Sequence, residues 1–204
     1  MIRRAHRWNA ILLGLFLAVH LLSHVAGTLG PDSHLLVLAA VRPLYRNAIV
    51  EPLLFVSFAG QIGLGLALVW KRATIGIDRG WGLVQIISGI YLALFVLAHT
   101  FSALFARYAN DLDTNFWWPA STLSEAELGM FFYPYYFIGI SALFAHLAAA
   151  LHFRSVWTRA VRGLAVAGPL LALIVLSGFG GWYRELVVPN EYMEAFAAYF
   201  PGRN

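Results

Sequence analysis

The chain contains no cysteine. That absence removes disulfides, zinc–thiolate centres, iron–sulfur clusters and covalently attached c-type haem. Charge is scarce as well. Only 12% of the 204 residues are Asp, Glu, Lys or Arg, about half the share in an ordinary soluble domain. With 60% apolar residues and a mean hydropathy of +0.71, a soluble globular domain, a disordered chain and a nucleic-acid-binding arm are all excluded. The excess of 14 Lys and Arg over 10 Asp and Glu is therefore read as a topology signal, and no nucleic-acid partner is expected. There is no internal repeat and no low-complexity tract. Without thiols, the seven histidines are the strongest ligands left for a metal or a haem.

Five long apolar runs bounded by charge are present, at about residues 8–27, 51–70, 82–105, 128–153 and 164–182. Each has ~19–26 residues, enough at ~1.5 Å per residue to cross ~30 Å of hydrocarbon. The expected fold is all-α: one integral membrane bundle of five transmembrane helices spanning residues 1–204. Pro134 and Pro169 fall inside the fourth and fifth spans as candidate kinks. The first span follows Arg3, Arg4 and Arg7, but its long apolar core and the lack of a small-x-small cleavage site make it a span, not a cleaved signal.

Alternating the spans puts Arg3, Arg4, Arg7, Lys71, Arg72, Arg79, Arg154, Arg159 and Arg162 on one side, with Asp78 the single acid there. The opposite side holds most of the carboxylates. The positive-inside rule then places the N-terminus inside and the C-terminus outside, in a membrane of the bacterial inner (cytoplasmic) type. Two outer segments, about 31–46 and 189–200, read as short amphipathic stretches. The latter carries Tyr192, Phe196, Tyr199 and Phe200 for the outer leaflet or a partner subunit. Ser124 and Glu127 have the spacing of a capping box before the fourth span.

Intramembrane histidines are costly and mark candidate sites. His20 and His24 share one face of the first span, and His99 lies in the third. Counted from the inner end, His24 and His99 lie at matched depths of ~24 and ~25 Å, with His20 at ~18 Å. Two imidazoles on different helices at one depth are what six-coordinate haem b requires, so His99 with His20 or His24 forms the candidate ligand pair. His146 lies ~10 Å from the inner end of the fourth span. The matching place in the second span is Gln61, and that span holds no histidine. One haem b is thus expected. A second bis-histidine site is not supported, and His146 is either the single histidine ligand of another haem or a hydrogen-bonding partner of Gln61. His6 and His34 fall outside the spans, and His152 sits at the inner end of the fourth. Glu51, with Tyr45 and Arg46 just upstream, either accepts a proton from a quinol beside the haem or simply caps the second span. The aromatic run Phe131, Phe132, Tyr133, Tyr135, Tyr136 and Phe137 either lines a quinone cleft or packs between helices.

Five spans with histidines in the first, third and fourth resemble the cytochrome b membrane anchors of succinate:quinone oxidoreductases and fumarate reductases. The stretch VRPLYRNAIVE is similar to a looser set of five-helix relatives that are not tied to a dehydrogenase. The anchor resemblance implies haem iron held by His20 or His24 with His99, His146 as one ligand of an inner haem whose second ligand is missing near Gln61, and quinone as substrate. It implies a flavoprotein and an iron–sulfur subunit as partners within the lipid membrane. The competing expectation is a non-enzymatic accessory or scaffold subunit of a larger respiratory or photosynthetic complex. A small transporter is disfavoured by the lack of paired broken helices. On either reading the chain has no stand-alone catalytic site.

Overall fold

The computed structural model describes residues 1–74, 76, 79–154 and 157–197. Along the chain run α1 (Ile2–Ala26), a short 3₁₀ turn (Gly27–Leu29), α2 (Pro31–Tyr45), α3 (Val50–Ala73), α4 (Trp81–Ala109), α5 (Trp117–Ser124), α6 (Ala126–His152), α7 (Thr158–Phe179) and α8 (Asn190–Ala197). The described residues contain no strand. Helices α1, α3, α4, α6 and α7 are each long and apolar enough to cross a membrane, so this is an all-α chain of membrane character.

The helix boundaries move in ways that matter for the site. Helix α1 starts at Ile2 and not near Trp8, which brings Arg3, His6 and Arg7 onto the bundle. Helix α7 covers Thr158–Phe179, beginning and ending earlier than the apolar run at 164–182. The capping box does not form: Ser124 belongs to α5, where its hydroxyl donates to the Ala120 carbonyl at 2.8 Å, and α6 starts after Glu125. Nor is Glu51 the cap of α3. The cap position is Ile49, and the Asn47 Oδ1 just upstream accepts from the Ile49 and Val50 N–H groups at 3.1 and 3.0 Å.

Helix α6 packs along α7 and α4, and α1 pairs with α3. The α6–α7 seam is close because it meets a glycine. A Cβ at Gly168 would sit 2.6 Å from the Phe144 Cβ. The buried apolar core lies at the end of the bundle where α5 and α7 meet, built from Phe116, Ala120, Leu123, Val175, Leu176 and Phe179. By contrast, α3 buries no residue. It is a wall, with lipid-facing side chains on one side and an internal space on the other.

Helix α2 is turned back by Gly30, whose φ of 127° is open to glycine and strained for other residues, followed by Pro31 at the first helical position. The Arg184 guanidinium donates to the Thr28 and Leu29 carbonyls at 2.8 Å each, holding this turn from the far end of the chain. Helix α8 docks on its own chain: Tyr192 is buried against Ala106 and Leu112, and its hydroxyl donates to the Asp113 carbonyl at 3.0 Å. This replaces the leaflet or partner contact expected for Tyr192. Tyr199, Phe200 and the Phe196 side chain lie outside the described residues.

Candidate functional site: a histidine-lined cavity inside the bundle

A cavity of about 1530 Å³ runs between α1, α3, α4 and α6, larger than the ~300–1,000 Å³ of most small-molecule sites. His6, His20, His24, His34, His99 and His146 all border it.

In the half near α2, four histidines gather. The His20 and His99 rings, from α1 and α4, stand with centroids 6.0 Å apart. Each is braced by a phenylalanine one turn earlier on its own helix: Phe16 stacks on His20 and Phe95 on His99, both at 5.4 Å. His24 lies beside His20, with its Nε2 3.1 Å from the His20 Nε2. On its other side the His24 ring stacks at 5.8 Å on His34. Phe179 closes the group edge-on to both His24 and His34.

Sequence reasoning missed His34, because α2 reads as a surface segment. The residue is 2% exposed and boxed by His24, Phe116 and Phe179. The Gly30–Pro31 turn only a few residues upstream was the available signal that α2 folds back against α1. Burial, followed by the positive charge of Arg42, pushes the His34 imidazole down to about 4, so it is neutral near pH 7.

Three buried imidazole nitrogens here have no hydrogen-bond partner within the protein: the Nδ1 of His24 and both nitrogens of His34. Buried polar atoms are nearly always satisfied, so three orphans at one cavity mark a place where a ligand or solvent completes the structure. Among the described residues, no group of three or more His, Asp and Glu side chains is disposed around one bare metal ion.

The mouth of this half is polar. Glu51 is ion-paired with Arg107. Arg42 and Arg46 meet Asp113 at 2.9 and 3.3 Å. Burial works to raise the Asp113 carboxyl, but hydrogen bonds and charge from the two arginines outweigh it and hold the group below its ordinary value. Tyr45 packs edge-on to Phe16 at 5.2 Å, and burial raises its phenol. Tyr45, Arg46 and Glu51 all border the cavity. Of the aromatic run on α6, Tyr136 alone borders it, 6.4 Å from His99.

The other half is built differently. The His146 Nδ1 lies 3.1 Å from the Gln85 carbonyl and 3.1 Å from the Ser88 hydroxyl. Gln61 is not its partner. The Gln61 amide meets the His6 Nε2 at 3.0 Å, and its oxygen accepts from Asn9 at 2.9 Å. His6 was missed because helix α1 extends beyond the apolar run. His152 stands off the cavity, exposed and stacked on Trp81 at 5.4 Å. The structure therefore brings His20, His24 and His99 together and leaves His146 apart from them.

Compared with protein-family models, curated proteins and solved structures, the chain matches none at a significant level.

Proposed function

We propose that the chain is a haem b-binding membrane subunit that passes electrons between quinone and a partner redox protein. The observation that carries this reading is the His20–His99 pair, two rings from different helices that border one largely apolar cavity with centroids 6.0 Å apart. Two metal–nitrogen bonds of about 2 Å, plus the distance from each nitrogen to its ring centre, set coaxial imidazoles roughly 6 Å apart. The residues present thus fit a bis-histidine haem. His20 and His99 would hold the iron, braced by Phe16 and Phe95. When bound, haem b supplies one-electron chemistry that no side chain of this sequence can supply.

The rest of the chain's part is binding and positioning. The orphan nitrogens of His24 and His34 are the protein's unspent hydrogen-bonding capacity beside the pair. Tyr45, Arg46 and Glu51 border the adjoining mouth, where a quinone head group would meet polar side chains. The cysteine-free chain needs a partner to bring in electrons, such as a flavoprotein with an iron–sulfur subunit. The charge distribution supports an N-terminus inside and a C-terminus outside.

A reduced-minus-oxidised spectrum of the purified, haem-replete protein tests this. A haem b α-band is expected, and His99→Ala should abolish it. Absence of the band in replete wild-type protein would overturn the reading.

A further inference from the structure

The two mouths of the cavity differ in how their cations are matched. Near α2, Arg42 and Arg46 meet Asp113, and Arg107 meets Glu51. At the opposite mouth, Arg3 and Arg7 of α1, Lys71 in the last turn of α3 and Arg154 just after α6 border the same space. Among the described residues, no carboxylate lies within ion-pair distance of these four. Glu51, at the far end, is the one described carboxylate on the cavity wall. Arg3 and Arg7 are four apart and project from one face of α1. Beyond them the wall turns apolar, with Leu17, Ile62, Ile86, Ile90 and Leu147.

A general bias of positive charge to one side of a membrane accounts for cations on that side. It does not account for their bordering a cavity inside the bundle. Arg159 and Arg162, on α7, belong to the same side and do not border the cavity. Nor does the inner half present the orphan imidazoles of the outer half, since the His6 Nε2 is taken by Gln61 and the His146 Nδ1 by Gln85 and Ser88. Four cations with no carboxylate partner among the described residues, at the membrane-surface mouth of an apolar cleft, suit one ligand class, an anionic head group on an apolar tail.

We infer that this mouth is a binding site for an anionic phospholipid, whose phosphate is held by Arg3, Arg7, Lys71 and Arg154 and whose acyl chain lies in the inner half of the cavity. The site is independent of the haem reading and stands on the charge pattern and the cavity.

Native mass spectrometry of the full chain, taken from equimolar phosphatidylglycerol and phosphatidylcholine, tests it. One phosphatidylglycerol per chain should be retained in preference to phosphatidylcholine. The Arg3→Gln/Arg7→Gln and Lys71→Gln/Arg154→Gln pairs should lower that retention by roughly fivefold for each cation removed. Arg159→Gln/Arg162→Gln should leave it unchanged. Should the glutamine pairs fail to fold, Arg3→Lys/Arg7→Lys keeps the charge and should keep the lipid. Equal retention of both lipids, or an equal loss in the α7 pair, would overturn the inference. So would displacement by inorganic phosphate alone, or undiminished phosphatidylglycerol in the folded Arg3→Gln/Arg7→Gln and Lys71→Gln/Arg154→Gln variants.

Discussion

The two halves of one cavity are lined by the same kind of residue and are finished differently. In the half near α2, the histidines crowd one another and three of their nitrogens have no protein partner. In the other half, the His146 Nδ1 is held by Gln85 and Ser88, and the His6 Nε2 by the Gln61–Asn9 pair. The cations reverse the pattern: Arg42, Arg46 and Arg107 are matched by carboxylates near α2, while Arg3, Arg7, Lys71 and Arg154 at the far mouth meet no carboxylate among the described residues. A buried polar group costs free energy unless something satisfies it, so whatever the protein leaves unsatisfied shows what it is built to receive. By that rule the half near α2 offers unspent imidazole nitrogens, and the other offers cations without a carboxylate among the described residues.

Substitutions can break or sharpen that contrast. The largest effect is expected on cofactor content: His99→Ala should remove the haem b absorbance, and His146→Ala should retain most of it. Equal loss in both variants, read from the difference spectrum per mole of protein, would erase the distinction between the halves. Next comes Arg107→Ala. It leaves Glu51, whose side chain is 20% exposed, as a half-buried carboxylate without its ion pair. We expect a loss of about 2 kcal/mol in unfolding free energy, less than for a fully buried pair. A Glu51→Gln/Arg107→Ala double variant should recover part of it.

In the half away from α2, Gln61→Leu removes the partner of the His6 Nε2 and leaves the Asn9 amide with the Ser57 carbonyl alone. A loss of about 1 kcal/mol is expected by thermal or denaturant unfolding in detergent, with haem content unchanged. The smallest effect concerns Asp113. Its folded carboxyl titrates below the ordinary 3.8 of the unfolded chain, so its pairing stabilises the protein above that pH. That contribution is lost as the pH falls from there through the folded value. Asp113→Asn should flatten this acid limb of the stability curve, falling slightly below the parent protein near pH 7 and matching it at the acid end; the difference is small because the side chain is 42% exposed.

Much of this was legible in the sequence, and the reasons are local. Apolar runs longer than ~18 residues leave few alternatives to membrane-crossing helices. The spacing of His20 and His24, and the depth shared with His99, follow from the helical rise alone. What escaped is tertiary. His34 sits in a segment that reads as amphipathic surface, and it enters the site because Gly30 takes a φ of 127° and turns α2 back on α1. His6 escaped because polar residues at the head of α1 hid the start of the helix. Gln61 was matched to His146 by depth, yet depth does not fix the azimuth around a helix, and its amide points to α1. Glu51 looked like a cap because Pro52 follows it, whereas its partner Arg107 comes from another helix, 56 residues along the chain.

The sharpest test sets His20→Ala beside His24→Ala in haem-replete protein and compares their reduced-minus-oxidised spectra. Both residues occupy the same face of α1, and only the His20 ring stands 6.0 Å from His99. Loss of the haem b α-band in His20→Ala, with the band kept in His24→Ala, is the expected result. The opposite pattern, or a band that survives both substitutions, would contradict a haem held between His20 and His99.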